Sequence, residues 1–208
     1  MLPKESTTAL VLPEHMKSLE AATAGADMSS PPDEQLLIRR AQAGDASAFE
    51  QLLGHYYDLM FRFAFRWSGQ RSDAEDITQN ACLKLARSIG QFRFESAFSS
   101  WLYRLVINCA KDWYKSQGHA RDAQPLDAVP EALCDDASHI PVYLRQVLQQ
   151  LETLADGFKE TALLVHGEGL SHAEAASILN IKEATVSWRL HEIRKYLQTL
   201  QSCEGVNL

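Results

Sequence analysis

Apolar residues recur at intervals of three and four positions from residue 33 onward, which predicts a succession of amphipathic helices. Asp33 is predicted to open a short helix that Gly44 and Asp45 interrupt. Asp45 then serves as the predicted N-cap of a long helix that ends at Trp67. The apolar side of that long helix consists of Phe49, Leu52, Leu53, Tyr56, Met60, Phe63 and Trp67.

The next predicted helix carries two stripes of side chains. Ser72 to Glu75 has the S-x-x-E pattern of a capping box, so the helix is expected to start there and to end near Ile89, before Gly90. The apolar stripe, predicted to face the core, is Ile77, Ala81, Leu85 and Ile89. The second stripe has the same helical spacing but is mostly polar, so it is predicted to face outward: Asp76, Gln79, Asn80 and Leu83.

The stretch from Phe92 to Lys115 combines aromatic rings with cations. A short loop from Glu95 to Ser99 is predicted to precede an amphipathic helix that begins near Ser100. The rings are Phe92, Phe94, Phe98, Trp101, Tyr103, Trp113 and Tyr114, and the cations between them are Arg93, Arg104, Lys111 and Lys115. Such rings can form a core, or they can stack on unpaired bases while the cations contact phosphates.

The second half of the chain predicts further helices. They span Pro141 to Leu154, Asp156 to His166, a short helix from the capping box Ser171–Glu174 to Leu179, and a last helix from Glu183 to Leu200. Asn180 suits a tight turn, and Val186, Leu190, Ile193 and Leu197 form the buried side of the last helix. A short helix, a tight turn and a longer helix are the pattern of a helix-turn-helix.

The predicted fold class is therefore all-α, with two small helical domains joined by a flexible acidic linker, the second domain being a helix-turn-helix. The boundaries are a flexible N-terminal arm at residues 1–32, a first domain at 33–118, the linker at 119–139 and a second domain at 140–201. Proline, serine and glycine in the arm, and proline with acids in the linker, are typical of unpacked segments.

Composition and cysteine spacing favour a cytoplasmic protein. No run approaches the roughly 20 apolar residues of a membrane span, and the N-terminus does not have the pattern of a secretory signal, so no membrane insertion is expected. The cysteines Cys82, Cys109, Cys134 and Cys203 are far apart and predict reduced thiols.

The net charge of −7 at first argues against nucleic acid, but its distribution matters. Residues 33–118 carry 11 basic and 10 acidic side chains, residues 140–201 carry 6 and 7, and the linker carries 1 and 5. Both predicted domains are thus near neutral, whereas a protein that holds DNA unaided normally has a strongly basic surface. If the chain contacts DNA, another component supplies much of the affinity.

Specific motifs lie in both predicted domains. Residues 73–79, DAEDITQ, are similar to the signature D-A-E-D-[LIV]-x-Q, and residues 92–108 to F-R-x-x-x-x-F-x-x-W-L-Y-R-I-x-x-N. Residues 169–181 and 185–190 are similar to G-L-S-x-x-E-I-A-x-x-L-G-I and T-V-[KR]-S-R-L. Together, over residues 33–200, the chain resembles the extracytoplasmic-function sigma factors of RNA polymerase. It departs from their pattern at Phe94, where glycine is common, and at Ser99, where a base is common.

The resemblance implies an alternative sigma factor rather than an enzyme. The first domain would be sigma region 2 and the second sigma region 4. The chain would bind core RNA polymerase, recognise minus-ten and minus-thirty-five promoter elements and start DNA melting, in response to stress or an environmental or envelope signal. Its implied partners are core polymerase, promoter DNA and an anti-sigma factor, with no cofactor and no small-molecule substrate. Core polymerase would also supply the missing affinity for DNA.

The resemblance also implies roles for individual residues. Polymerase would contact the outward stripe Asp76, Gln79, Asn80 and Leu83. The minus-ten element would meet Phe94, Phe98, Trp101, Arg104, Asn108 and Lys111. The minus-thirty-five element would meet Thr185, Ser187, Trp188, Arg189 and His191. Helical geometry places Trp188 about 200° from Val186 and so on the exposed side, where a thymine methyl contact and a protein interface both remain open.

Other functions fit less of the sequence. A two-domain regulator that binds DNA alone through the helix-turn-helix is the main alternative, and a helical adaptor would leave the paired motifs unexplained. For a metal enzyme, the nearest candidates are Cys134 with His139, and His166 with His172 and Glu174. Neither set matches a known ligand spacing, so no metal site is predicted.

Overall fold

A computed structural model of the protein describes residues 33–121, 147–148, 150–151 and 154–204, and within those ranges the chain forms helices joined by turns and short loops. The helices are α1 (Glu34–Gln42), α2 (Ala46–Ser68), α3 (Arg71–Ser88), α4 (Phe98–Arg121), α5 (Phe158–Ala162), α6 (His172–Leu179) and α7 (Glu183–Glu204). The predicted all-α fold class is confirmed. The N-terminal arm and, after residue 121, most of the predicted linker lie outside the described residues.

Helix α2 forms as its sequence predicts. The Asp45 carboxylate accepts a hydrogen bond of 3.1 Å from the backbone N–H of Ala48, which satisfies one of the free donors at the helix N-terminus. Gly69 ends the helix at φ 71°, a left-handed conformation that glycine adopts without steric cost, and its N–H donates to the carbonyl of Phe65. The predicted apolar side of α2 packs inward, with Leu52, Met60 and Phe63 fully buried.

Helix α3 begins two residues earlier than its predicted N-cap, Ser72, implies, and its expected capping box is wrong. Gln70 is the N-cap, and its carbonyl accepts from the N–H of Ala74 at 3.0 Å. Ser72 is thus already inside the helix, where its hydroxyl bonds the Asp73 carboxylate at 3.3 Å. Glu75 turns outward to pair with Arg71 at 3.0 Å instead of reaching back to the backbone. The predicted core stripe of α3 is buried as expected.

A single turn of 3-10 helix (Ile89–Gln91) follows α3, and the chain then makes a loop before α4. In that loop Phe94 has φ 61°, in the left-handed region. Helix α4 begins at Phe98, two residues before the predicted start, and continues to Arg121, beyond the predicted domain boundary at residue 118. The cores of α2, α3 and α4 meet around Phe63, Leu85 and Leu102, all fully buried.

The C-terminal helices also follow the sequence closely. Ser171 and Glu174 form the predicted capping box at the start of α6: the Ser171 hydroxyl accepts from the Glu174 N–H, and the Glu174 carboxylate accepts from the Ser171 N–H. Asn180 ends α6 in the predicted left-handed conformation, with φ 54°. On α7, Val186, Leu190 and Ile193 are buried, as predicted, and Leu197 is half-buried.

One element was not foreseen. After α5 the chain widens into a π-helical turn (Leu163–Gly167), in which the N–H of Glu168 reaches the carbonyl of Leu163 at 2.9 Å. Such turns are rare and concentrate at functional sites. The described residues from 33 onward form one compact unit, in which α4 contacts α6, and α2 contacts the π-helical turn. The two predicted helical domains therefore pack against each other.

Candidate functional site

The outward stripe of α3 is a continuous exposed surface. Asp76, Gln79 and Asn80 are exposed, and Leu83 keeps 43% of its surface accessible, which is unusual for a large apolar side chain. On the opposite side of the helix, Ile77, Ala81 and Leu85 are fully buried and hold the stripe in place. The predicted orientation of these residues is confirmed, and their contact with polymerase stays a prediction.

Phe98 lies in the core instead of facing a strand of DNA. Its ring is 2% exposed and packs edge-on against Tyr56 and Phe92, at centroid distances of 5.2 and 5.1 Å, and beside Trp101 at 5.7 Å. Because α4 starts at Phe98, this residue belongs to the first helical turn, where its side chain turns toward α2. No ring face is left for a base, so the expected role of Phe98 in stacking does not fit this placement.

Phe94 and Trp101 remain accessible at the edge of the same aromatic cluster. Both are half-buried, and each packs against Phe92, at 4.9 and 5.6 Å respectively. The guanidinium of Arg39 lies 4.6 Å from the centre of the Phe94 ring, so a cation covers one of its faces. The Trp101 ring stacks on Phe98 at 5.7 Å, so each of the two rings has one face that a neighbour covers.

The polar candidates on α4 lie on its solvent side, but two of them already have partners. The Arg104 guanidinium donates to the carbonyls of Ile178 and Ser177 at 2.9 and 2.8 Å. The ammonium of Lys111 lies 2.7 Å from the Asp156 carboxylate and 2.6 Å from that of Glu160. Asn108 lies between them in sequence and is exposed.

The charges around Lys111 reinforce each other. Burial by itself would lower the pKa of Lys111, but its hydrogen bonds to Asp156 and Glu160 outweigh that effect and raise it. The hydrogen bond between Lys111 and Asp156 also lowers the pKa of Asp156. Both groups are therefore held in their charged forms across the neutral range.

Among the residues of α7 predicted to contact the minus-thirty-five element, some are exposed and others are hydrogen-bonded within the protein. Trp188 is 54% exposed, as predicted, and its buried part meets the Phe158 ring edge-on at 5.6 Å. Ser187 and His191 are also exposed, and Ser187 bonds His172 at 3.0 Å, whereas Thr185 is half-buried. Arg189 does not reach freely outward: it donates to the Gly157 carbonyl at 3.1 Å and contacts the Thr161 hydroxyl at 3.3 Å.

An ionic cluster that sequence reasoning missed joins the two halves of the chain. The Glu168 side chain is 2% exposed and forms an ion pair with Arg66, while Arg62 lies 3.9 Å away. The Tyr103 hydroxyl donates to Glu168 at 2.8 Å. Burial, and then the charge of Glu168, raise the pKa of Tyr103, so this hydroxyl keeps its proton as a donor.

A buried cation, Lys159, contacts aromatic rings of α2 and α4. The Lys159 side chain is 3% exposed, and its ammonium lies 4.9 Å from the centre of the Trp67 ring and 5.1 Å from that of Tyr114. For the ionic cluster around Glu168, the only sequence signal was the spacing of Arg62 and Arg66, which puts two cations on one side of α2.

The part of the chain that the structure describes contains neither a metal-binding cluster nor a membrane-spanning helix. No group of three or more histidine, cysteine, aspartate or glutamate side chains there could hold a metal ion, and this includes His166, His172 and Glu174. Cys134 and His139 lie outside the described residues. None of the described helices is both long and apolar enough to cross a bilayer.

Comparison with known proteins gives a consistent result. Residues 52–120 match the family described as Sigma-70 region 2. The ECF RNA polymerase sigma-E factor of Haemophilus influenzae is 30% identical over 183 residues, covering 82% of this chain and 96% of the relative. The RNA polymerase sigma-H factor of Pseudomonas aeruginosa is 30% identical over 181 residues, covering 81% of this chain and 93% of the relative.

Solved structures share the fold. CnrH, in complex with the cytosolic domain of CnrY, superposes with a TM-score of 0.59 at 23% identity, covering 81% of this chain and 97% of that chain. The sigma factor RpoE of Bartonella quintana, in complex with the anti-sigma factor NepR, superposes with a TM-score of 0.56 at 22% identity, covering 76% and 98% respectively.

Proposed function

This chain belongs to the ECF family of RNA polymerase sigma factors. From that premise we propose which of its surfaces binds core polymerase and which bind promoter DNA during transcription initiation. The chain binds core RNA polymerase and directs it to promoters with its own minus-ten and minus-thirty-five elements. It is a transcription initiation factor and carries out no catalytic step itself. Residues 33–118 act as sigma region 2, and residues 140–201 as sigma region 4.

The outward stripe of α3 is the observation that carries this proposal. It lies within the residues that match Sigma-70 region 2, and it exposes an apolar side chain, Leu83, among the polar Asp76, Gln79 and Asn80. Protein interfaces combine an apolar centre with a polar rim in this way. We therefore assign the stripe to the contact with core polymerase.

Helix α4 is proposed to hold the melted minus-ten strand. Trp101 offers a half-buried ring for stacking, which is worth about 1–3 kcal/mol per base. Asn108 is exposed and can bond the edge of a base, and Arg104 and Lys111 can contact phosphates once they leave their present partners. Phe94 contributes the ring face that Arg39 does not cover, and Phe98 supports the platform from the core.

Helix α7 is proposed to read the minus-thirty-five element in the major groove. Ser187, Trp188 and His191 are exposed there, and Trp188 supplies an apolar contact for a thymine methyl group. Thr185 and Arg189 lie beside them, and Arg189 also ties α7 to the residues around Gly157. The short helix α6, the turn at Asn180 and α7 would together form the helix-turn-helix.

Regulation by an anti-sigma factor in response to an external signal completes the proposal. Both similar structures named above are complexes, and in one of them the partner is the anti-sigma factor NepR. The edge of α7 offers an apolar groove lined by Leu154, Phe158, Trp188 and Tyr196. Such a groove suits an amphipathic partner helix.

A titration of the fluorescently labelled chain with core RNA polymerase tests the proposed function. We expect saturable binding with one chain per core enzyme, and displacement of the label by unlabelled chain. Core enzyme that leaves the fluorescence anisotropy of the chain unchanged at micromolar concentrations would contradict the proposal.

A further inference from the structure

Helix α1 is hydrogen-bonded to the 3-10 turn that leads into the loop before α4. The amide nitrogen of Gln42 donates to the carbonyl of Ile89 at 2.9 Å and to the carbonyl of Phe92 at 2.8 Å. Gln42 is half-buried, so its hydrogen bonds are partly shielded from competing water. Because Ile89 begins the turn and Phe92 directly follows it, one side chain fixes both ends of the turn.

A second residue of α1 lies over the loop itself. The guanidinium of Arg39 is 4.6 Å from the centre of the Phe94 ring, which is a cation–aromatic contact. Arg39 and Gln42 are three positions apart and so lie on the same side of α1. Helix α1 therefore holds the loop at two points, at the Phe92 carbonyl and at the Phe94 ring.

Phe94 is the residue of the loop that needs such support. Its φ of 61° lies in the left-handed region, which a bulky side chain disfavours. A disfavoured conformation persists only where the surrounding structure fixes it, and such positions concentrate at binding and catalytic sites. Phe92 packs against the Phe94 ring at 4.9 Å, and Gln42 fixes the carbonyl of Phe92. The contacts from α1 thus act on the residue whose backbone is strained.

We propose that Arg39 and Gln42 are positioning residues for minus-ten recognition, and we call this pair the α1 clamp. The clamp holds residues 92–97 and the ring of Phe94 in the shape that receives the melted strand. The inference rests on the proposed function and extends the minus-ten site to a helix that none of its assigned residues occupies. Helix α1 also lies outside residues 52–120, which match Sigma-70 region 2, so no role for α1 follows from that match.

Holding the loop before DNA arrives lowers the cost of binding the melted strand. A loop that becomes ordered only on binding loses conformational entropy at that step, whereas a loop that is already ordered does not. The clamp acts on the loop before α4, and the stripe proposed to bind polymerase lies on α3. Loss of the clamp should therefore slow promoter opening and leave the affinity for core polymerase unchanged.

Gln42→Glu removes the hydrogen bonds with almost no change in size. An ionised carboxylate has no proton to donate, so it would face the carbonyls of Ile89 and Phe92 and repel them. Gln51→Glu is the matched control, because Gln51 is an exposed glutamine of α2 that bonds the Ser47 hydroxyl at 3.3 Å. Both variants change the net charge equally.

Open-complex formation is measured with the full-length chain, core polymerase and a duplex fragment from upstream of a chain-dependent RNA start. A fluorescent purine analogue in the minus-ten region of the fragment reports strand separation, and the chain is saturating. We expect Gln42→Glu to slow opening about fivefold or more, because a smaller fraction of the chain has the loop in its binding shape. Gln51→Glu should open the fragment at the wild-type rate.

A double-mutant cycle separates positioning from a general loss of structure. Arg39→Ala should slow opening about threefold in the wild-type chain but have little effect in Phe94→Gly, where the clamp has neither a ring nor a strained backbone to hold. Arg39→Lys keeps a cation over the ring and should restore most of the rate. Equal losses from Arg39→Ala in both backgrounds would overturn the proposal.

The remaining outcomes separate this proposal from the proposed function. Opening at the wild-type rate by Gln42→Glu, or an equal loss of affinity for core polymerase, would overturn the α1 clamp alone. If Gln42→Glu is unfolded in a thermal melt, Gln42→Ala takes its place and decides in the same way. A wild-type chain that neither binds core polymerase nor opens any promoter would overturn the proposed function instead.

Discussion

Phe94 occupies a backbone conformation that its side chain disfavours. With φ 61° it lies in the left-handed region, which costs an L-residue other than glycine roughly 1–2 kcal/mol. Glycine is common at this position in the family that the chain resembles, and the backbone explains why. The contacts of the ring with Phe92 and with the Arg39 guanidinium offset the strain here.

Two substitutions at this position separate the strain from the packing. Phe94→Ala and Phe94→Gly both remove the ring, but only glycine relieves the left-handed backbone. We expect Phe94→Gly to be more stable than Phe94→Ala by about 1 kcal/mol in urea unfolding, although both are less stable than the wild type. If Phe94→Ala is at least as stable as Phe94→Gly in urea unfolding, the loop relaxes out of the left-handed conformation in the variants.

The capping box of α6 predicts a stability that depends on pH. The Ser171 hydroxyl, and then its backbone N–H, bond the Glu174 carboxylate and lower its pKa below the ordinary value of 4.5. Because the folded-state pKa is the lower one, this contribution is complete above pH 4.5 and is lost as the pH falls through the folded-state value. The wild type should therefore melt above Glu174→Gln at neutral pH.

That difference in melting temperature should shrink as the pH is lowered below 4.5, because the protonated Glu174 becomes neutral like glutamine. Ser171→Ala removes the other half of the box and should cost about 1 kcal/mol at neutral pH. A gap between wild type and Glu174→Gln that stays constant with pH would mean that the carboxylate charge adds nothing to the cap.

At the scale of single elements, periodicity was a reliable guide to which side of a helix faces inward. The core and outward stripes of α3, the buried side of α7 and the capping box of α6 all follow the prediction, because each depends on residues within one or two turns. The errors are also local. The S-x-x-E pattern at Ser72 failed because Arg71 competes for Glu75, and Asp73 for Ser72.

The outward stripe of α3 can be tested without disturbing its core. We expect Asp76→Lys with Gln79→Lys to weaken binding of core polymerase at least tenfold while the melting temperature changes little, since both side chains are exposed. The matched control is Gln51→Lys with Asp58→Lys, which makes the same changes on the exposed side of α2. Equal affinity for core in both double variants would remove polymerase binding from this stripe.

Substitution of Trp188 distinguishes whether α7 contacts promoter DNA or a protein partner. If it meets a thymine methyl group, Trp188→Ala should reduce discrimination at one minus-thirty-five position by about 1–3 kcal/mol and leave the other positions unchanged. Transcription from a panel of single-base promoter variants measures this. If Trp188→Ala leaves the preference for minus-thirty-five bases unaltered and raises basal transcription in the host, Trp188 instead contacts a repressing protein partner.

At the scale of the whole molecule, the contact between the two halves was beyond the reach of sequence patterns. Arg66 and Glu168 are 102 residues apart, and neither lies in a motif that predicts the other. Glu168 lies just after the predicted helix end at His166, and the π-helical turn that directs its side chain toward Arg66 has no periodic signature in the sequence. Burial of Phe98 has the same origin, because it depends on how α4 meets α2 and not on α4 alone.

The central claim is that this chain gives core polymerase its choice of promoter, and mapping of RNA starts tests it most directly. Core RNA polymerase is incubated with genomic fragments of the host, with and without the purified chain, and the 5′ ends of the transcripts are sequenced. We predict a set of starts that appears only with the chain and shares two sequence elements, near minus ten and minus thirty-five. Identical starts with and without the chain would contradict the account.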